Sequence, residues 1–180
     1  MRINTNRLQL RPLTIADLDA LLIIHSSAEV QRFFGILDRA ELADWLARVE
    51  EDWAQDGYGR AAILDGATGR LIGRAGLKRF PEYGETELGW VLEPGSWGHG
   101  FATEAAHAWV RWGFENLDVP YLTSMIAPEN TRSIAVAQRL GMTALRTDML
   151  LGEAVTVYSI SRNSWTSTSP NRNEDPSQPC

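Results

Sequence analysis

The chain has 180 residues, 44% of them hydrophobic, which fits a single soluble domain with a sizeable core. Its formal net charge of -6 argues against a general nucleic-acid-binding protein, because such proteins engage phosphates with a basic face. The same negative charge suits a cationic partner, such as an amine.

The first third of the chain predicts one strand followed by two helices. Residues 8–12 alternate in hydrophobicity and end at a proline, which is typical of a strand. Thr14 and Asp17 form a cap-like pair before the first helix, and Asp38 and Glu41 form one before the second. Apolar residues recur at helical spacing in both: Leu18, Leu21, Leu22 and His25 in the first, and Leu42, Trp45, Leu46, Val49 and Trp53 in the second, which ends at Gly57.

An antiparallel meander is predicted next, with strands at residues 60–64, 71–78 and 85–92. A long helix follows, since residues at helical spacing form an apolar face over 102–117. A further strand is predicted at residues 121–127. It runs parallel to the strand before the helix, by the rule for strand, crossover helix and strand.

A glycine-rich segment, GSWGHGFATEA at residues 95–105, joins that strand to that helix. Glycines allow a close approach of the backbone to a ligand, and the free amides of the first helical turn attract anions, so we predict a bound diphosphate. No Lys-Ser/Thr pair follows the glycines, which excludes a Walker A loop, and Thr103 replaces the third glycine of the Rossmann motif. A nucleotide-type cofactor other than ATP or NAD is favoured. The alternative is an ordinary glycine-containing turn.

The end of the chain predicts one more helix, starting at residues 128–131, and two strands at 142–150 and 154–161. After these the composition changes to Ser, Thr, Pro, Asn and acidic residues without core residues, as in disordered segments. We therefore predict a single domain over residues 1–165 and a disordered tail over 166–180.

Several classes of site are not expected. The single cysteine, Cys180, is the last residue, so an internal disulfide, a cysteine zinc site and a buried cysteine nucleophile are excluded. The three histidines have no metal-ligand spacing, so no metal is expected. The longest apolar run, residues 20–24, is far too short for a membrane span, and the N-terminus lacks the apolar run of a signal peptide. We expect a cytoplasmic protein.

The order of these elements, together with five motifs, resembles the GNAT superfamily of N-acetyltransferases. The motifs are TNRLQLRP at 5–12, IGRAGL at 72–77, ELGW at 87–90, WGHGFATEA at 97–105 and NTRS at 130–133. Within the superfamily they resemble the Rim-type branch, which acetylates ribosomal-protein N-termini, and the resemblance runs from about Arg7 to Trp165. It implies an α/β (α+β) fold with a mixed, mostly antiparallel central sheet of about seven strands, flanked by helices. A splayed parallel strand pair in that sheet holds the cofactor.

The resemblance implies acetyl-CoA as co-substrate, with its diphosphate on the amides of residues 98–103 and its pantetheine between the splayed strands. The implied cofactor-binding residues are Val91, Trp97, Gly98, His99, Gly100, Phe101, Ala102, Thr103, Asn130 and Ser133. Gly95 and His99 depart from the family pattern, which often has Gln or Arg and Lys or Arg there, and both changes remove positive charge. Gly89 suits either the bulge of a splayed strand or plain close packing.

Acetyl transfer to an amine requires a base for the amine proton and an acid for the departing thiolate. Direct attack is expected, because the chain has no cysteine nucleophile in its interior. We predict Glu87 as the base, with Glu85 and Glu93 as competitors. The resemblance suggests Ser133 as the acid, and the alternative role for Ser133 is helix capping.

We predict an N-acetyltransferase for a primary amine, most of all for a protein or peptide N-terminus. One alternative is an aminoglycoside or polyamine acetyltransferase, in which acidic residues of the second helix attract a polycation: Asp44, Glu50, Glu51, Asp52 and Asp56. The other is a non-catalytic acyl-CoA-binding module, since Met125 and Ala137 stand at positions that are catalytic in relatives. Neither nucleic acid nor a membrane is an expected partner, and a homodimer stays open.

Overall fold

A sheet with helices on both faces forms the centre of the structure, a computed structural model that describes residues 1–150 and 152–168. The strands are β1 (Ile3–Asn4), β2 (Leu8–Pro12), β3 (Arg60–Asp65), β4 (Leu71–Phe80), β5 (Glu85–Leu92), β6 (Tyr121–Ile126), β7 (Thr143–Leu150) and β8 (Glu153–Ser161). The helices are α1 (Leu18–His25), α2 (Ala28–Phe34), α3 (Arg39–Asp56), α4 (Phe101–Asn116), α5 (Thr131–Arg139) and α6 (Arg162–Thr168). The strand order is β1-β2-β3-β4-β5-β6-β8-β7, and only β5 and β6 pair in parallel within this described sheet.

The predicted fold class is confirmed, including the parallel strand pair on either side of α4. The described sheet has eight strands where about seven were predicted, because the two-residue β1 pairs with β2. α3 has the predicted ends: Asp38 and Glu41 exchange side-chain to backbone hydrogen bonds of 2.9 Å, and Gly57 closes the helix with φ of 75°.

Two helices were not predicted. α2 begins after Ser27, whose hydroxyl accepts a hydrogen bond from the Val30 amide at 3.3 Å, and it ends at Gly35 with φ of 71°. Both are local signals that the sequence carries. α6 runs to Thr168 and so extends into the predicted tail at 166–180. The remainder of that tail, residues 169–180, lies outside the described residues.

Each face of the sheet packs on a different helical layer. One face packs on α4 through a cluster that includes Leu77, Leu88, Trp109 and Leu122. The other packs on α1 and α3 through a cluster that includes Leu21, Leu42, Leu46, Ala62 and Val91. Successive residues of a strand point to opposite faces, so β5 contributes Leu88 to the first layer and Val91 to the second. Full burial of one such side chain contributes about 1.5–3 kcal/mol.

The parallel strands β5 and β6 separate soon after they meet. Their backbones are in register only at Glu87 and Thr123, and the Ser124 hydroxyl then donates a hydrogen bond of 2.6 Å to the Leu88 carbonyl. Beyond this point β5 continues to Leu92 along β4 alone. The two strands therefore form a fork that opens toward the N-terminus of α4.

Gly89 does not create this fork through a bulge. The ladder between β4 and β5 keeps its register through the pair Gly76 and Gly89, so the bulge interpretation is wrong. A Cβ atom at Gly89 would lie 2.8 Å from Nη1 of Arg60, whose side chain crosses the strand at this point. Close packing, the other interpretation, is the reason for glycine here.

Candidate functional site

The fork opens into a cavity of about 1460 Å³ between the C-terminal end of β5 and the N-termini of α4 and α5. All ten residues that the resemblance implies for cofactor binding line it: Val91, Trp97, Gly98, His99, Gly100, Phe101, Ala102, Thr103, Asn130 and Ser133. The structure thus brings together residues from β5, the glycine segment, α4 and the start of α5.

The glycine segment has the geometry of an anion site. Gly98 and Gly100 have φ of 80° and 79°, a left-handed conformation that other residues rarely adopt, and a Cβ atom at Gly98 would meet no atom within 4 Å. Within the described part of the chain, no group accepts a hydrogen bond from the amides of residues 98–103. These amides lie at the positive end of the α4 dipole, so they fit a diphosphate.

Arg7 holds the glycine segment from outside the cavity. Its Nη1 donates to the His99 carbonyl at 2.9 Å, and its Nε donates to Glu104 Oε2 at 2.7 Å. Its guanidinium carbon lies 4.6 Å from the centre of the Phe101 ring. Glu104 also accepts hydrogen bonds from the Thr5 hydroxyl and the Arg7 amide, at 2.5 and 2.9 Å. These contacts of Arg7 form a clamp that pairs with the carboxylate of Glu104, in the first turn of α4. Glu104 therefore does not repel an anion bound at the glycine segment.

Arginines give the cavity a positive charge that the sequence motifs did not indicate. Arg32, Arg111, Arg132 and Arg139 line it, against Glu29, Glu104 and Glu129. Arg132 stacks on Trp97, and its guanidinium carbon lies 4.5 Å from the ring centre. The Trp97 indole in turn donates a hydrogen bond of 2.9 Å to the Leu92 carbonyl. These side chains compensate locally for the positive charge that is missing at Gly95 and His99.

The side chain of Asn130 and the backbone amide of Ser133 together form the N-terminal cap of α5. The Asn130 side-chain oxygen accepts a hydrogen bond of 3.1 Å from the Ser133 amide, which makes Asn130 the cap. Ser133 contributes its amide, so its hydroxyl is not the capping group. No described residue bonds that hydroxyl, and Ser133 lines the cavity.

Glu87 lies outside the cavity. Glu87 is only 8% exposed and forms a buried ion pair with Arg60, which is 9% exposed. Arg60 Nη1 also donates to the Gly76 carbonyl. The structure therefore does not bring Glu87 to Ser133, and its role as the base stays a prediction.

The competing carboxylates are ion-paired as well. Glu85 pairs with Arg146, with nitrogen to oxygen distances of 2.7 and 3.1 Å. Glu93 pairs with Arg70 at 2.6 and 2.5 Å, and this pairing lowers the pKa of Glu93 although partial burial opposes it. A carboxylate with a lowered pKa is a weaker proton acceptor.

Candidate metal-binding groups and candidate membrane spans are absent from residues 1–150 and 152–168. In these segments no group of three or more His, Cys, Asp or Glu side chains is arranged to hold a metal ion. None of the helices in the same segments is both long and apolar enough to cross a bilayer.

Comparison with known proteins gives a family match over most of the chain. A sequence model described as the acetyltransferase (GNAT) domain matches residues 7–143. The chain is 30% identical over 140 residues to the uncharacterized N-acetyltransferase p20 of Bacillus licheniformis, covering 76% of this chain and 79% of p20. A solved acetyltransferase structure from Agrobacterium tumefaciens superposes with a TM-score of 0.80 at 35% identity, covering 90% of this chain and 95% of that one.

Two solved structures with lower identity contain coenzyme A or acetyl-CoA. The ribosomal α-N-protein acetyltransferase RimL, in complex with coenzyme A, has a TM-score of 0.76 at 18% identity and covers 89% of this chain and 98% of its own. The aminoglycoside acetyltransferase AAC(6')-Ib, in complex with paromomycin and acetyl-CoA, has a TM-score of 0.76 at 19% identity and covers 92% and 100%. At these identities the likeness is one of fold alone.

Proposed function

The chain belongs to the GNAT acetyltransferase domain family, and from this premise we propose that it transfers acetyl from acetyl-CoA to a primary amine, by direct attack. The observation that carries the proposal is the row of amides at residues 98–103, which have no hydrogen-bond acceptor among the described residues and open onto a fork between two parallel strands. In this proposal residues 1–165 act as one catalytic domain.

The diphosphate of acetyl-CoA would bind the amides of residues 98–103, and the arginines of the cavity would neutralise the remaining phosphate charge. Trp97 and Phe101 would flank the diphosphate. Pantetheine would run between β5 and β6, past Val91 and Asn130. The acetyl group would then reach the part of the fork near β5, where the backbone has no β6 partner.

The proposed reaction forms one bond and breaks one. The amine nitrogen attacks the thioester carbonyl carbon, the carbon–sulfur bond breaks, and the sulfur leaves as a thiolate. The amine loses one proton to a base and the thiolate gains one from an acid, so protons balance. Ser133 is the proposed acid, because Ser133 lines the cavity and no described residue bonds its hydroxyl. Glu87 is the predicted base, and from its buried position it would act through water.

Ser133→Ala is expected to lower kcat by about 100-fold while leaving acetyl-CoA affinity nearly unchanged, since general acids typically contribute that much. The cap of α5 survives the change, because Asn130 bonds the backbone amide of residue 133. Thiol release under saturating acetyl-CoA measures kcat, and calorimetry measures affinity. Thr131→Ala, two residues earlier in α5 and also at the cavity, is the matched control and should keep kcat within a few-fold. Full activity of Ser133→Ala would remove the hydroxyl from the mechanism.

The acceptor class we propose is a protein or peptide N-terminus. The Rim-type motifs support it, and the acidic face of α3 offers less to a polycation than its sequence suggests. Asp52 and Asp56 lie 3.8 Å from Lys78 and Arg79, and the Glu50 carboxylate accepts a hydrogen bond from the Ile15 amide at 3.0 Å. Three of the five acids are thus engaged with this chain's own groups.

Thiol release tests the whole proposal with peptides that start with Ser or Ala, with spermidine and with kanamycin, each at low and high salt. We expect the peptides to give the highest kcat/KM with modest salt dependence. If a polycation is acetylated efficiently with a kcat/KM that falls steeply with salt, and the peptides are inert, then the acceptor is a small molecule and not a peptide. No thiol release with any amine would instead favour the non-catalytic module.

A further inference from the structure

Arg74 of β4 lies beside the cavity, on the sheet face that α1 and α3 cover. In the β4 and β5 ladder it stands opposite Val91, which lines the cavity. Its guanidinium carbon lies 4.7 Å from the ring centre of Trp45 and 5.5 Å from that of Phe34, another lining residue. The guanidinium thus lies over two aromatic rings, one of which lines the cavity.

This guanidinium lacks an anionic partner. In the described part of the chain no carboxylate pairs with Arg74, and its Nε is buried without a hydrogen bond. The neighbouring carboxylate, Glu87, is already paired with Arg60, so the three side chains carry one net positive charge. Burial lowers the pKa of Arg74 to about 9, which still leaves it charged at neutral pH. Arg74 as a whole is half-buried, so its charge is only partly hydrated where it lies.

A second side chain at the same place also lacks partners. His25 is 2% exposed, and neither ring nitrogen has a hydrogen bond within the described residues. Its ring packs edge-on against that of Phe34, a lining residue of the cavity, at 6.3 Å between centres. Burial and the charge of Arg74 lower the pKa of His25 to about 4, so it is neutral and supplies no counter-charge. Buried polar groups are normally hydrogen-bonded, so this part of the fold has the capacity to bind a further polar group.

We propose that the amine acceptor carries a carboxylate and that Arg74 binds it. The proposal rests on the acetyl transfer proposed above and narrows its acceptor class. The one net positive charge of Arg74, Arg60 and Glu87 together matches one carboxylate, and the guanidinium fork suits its two oxygens. The carboxylate has two sources: an acidic side chain close to a peptide N-terminus, or the α-carboxylate of a free amino acid.

Two matched acceptor pairs test the proposal through thiol release. The first pair is C-terminally amidated peptides that begin Ser-Asp or Ser-Asn, and the second is serine and serinamide. We expect the acidic member of one pair to have a kcat/KM about 10- to 100-fold above that of its neutral partner, mainly through KM. The pair that shows the preference identifies the source of the carboxylate.

Variants of Arg74 then test whether this side chain causes the preference for the acidic acceptor. Arg74→Gln should remove it while leaving kcat/KM for the neutral acceptors within a few-fold, and Arg74→Lys should keep part of it. Arg79→Gln, an exposed position on the same strand, is the control and should retain the full preference. Circular dichroism verifies that each variant is folded.

The outcomes separate this proposal from the acetyl transfer itself. If the wild-type protein acetylates neutral and acidic acceptors with equal kcat/KM, the binding of an acceptor carboxylate is overturned, but acetyl transfer itself is not. This comparison does not depend on the folding of any variant. An equal loss for all acceptors in Arg74→Gln makes Arg74 a structural residue and likewise overturns the proposal. No wild-type thiol release with any acceptor overturns both.

Discussion

Replacing Gly100 with valine is expected to abolish measurable acetyl-CoA binding in a protein that remains folded. Gly100 has φ of 79° and is the N-cap of α4, and a β-branched residue does not adopt that conformation without strain of about 1–3 kcal/mol. The loop would relieve the strain by changing shape. This change would turn the amides of residues 98–103 away from the diphosphate and disturb the hydrogen bond between Arg7 and the His99 carbonyl. Loss of two charge-assisted hydrogen bonds alone weakens binding by about 100-fold or more.

Gly95→Val is the matched control for this experiment. Gly95 precedes the loop by only three residues, but its φ is not positive and a Cβ atom there meets nothing within 4 Å. Calorimetry with acetyl-CoA should give wild-type affinity for Gly95→Val and no measurable heat for Gly100→Val. Unchanged affinity in a folded Gly100→Val protein would refute the diphosphate site.

Replacing Glu87 with alanine is expected to lower the free energy of unfolding by about 3–5 kcal/mol, the usual cost of breaking a buried ion pair from one side. Arg60 would keep its charge at a position where its side chain is only 10% exposed, with the Gly76 carbonyl as its remaining partner. Urea denaturation followed by tryptophan fluorescence measures the loss. Asp19→Ala is the control, because it breaks an exposed ion pair: the side chains of Asp19 and Arg39 are 78% and 61% exposed. It should lower the free energy of unfolding by less than about 1 kcal/mol. Equal small losses in both variants would contradict a stabilising role for the buried pair.

The conservative variant Glu87→Gln decides whether Glu87 also has a chemical role. The amide keeps the size of the side chain and one oxygen that accepts from Arg60, so more of this protein should fold. If Glu87 is the base, kcat per folded molecule falls by about 100-fold or more. If kcat stays within a few-fold, Glu87 belongs to the buried ion pair and the amine proton leaves by another route.

Local patterns were sufficient to predict the parts of the fold that short segments determine. The ends of α3 follow from Asp38 and Gly57, because a cap acts within one helical turn. The glycine segment likewise carries its own geometry, since Gly98 and Gly100 adopt the positive φ that their sequence permits. The cofactor-binding residues implied by the resemblance lie in or near such segments, and they line one cavity.

Contacts between distant segments could not be predicted in this way. Nothing near Arg60 in the sequence indicates that its side chain crosses Gly89 to reach Glu87, so the burial of Glu87 in this ion pair could not be predicted. Arg7 was known only as part of a motif, and its clamp on His99 depends on how β2 is placed relative to α4. The missing partner of Arg74 is visible only once the surrounding side chains are in place.

The clamp by Arg7 also bears on the order in which the protein folds. Its hydrogen bonds to Glu104 join groups 97 residues apart in the sequence, and contacts of this kind form late because a long loop must close first. The glycines and the first turn of α4 need only local contacts. A partly folded chain therefore contains the anion-binding segment before it has the clamp that fixes it. The clamp on the glycine segment is complete only when the residues before β2 have reached α4.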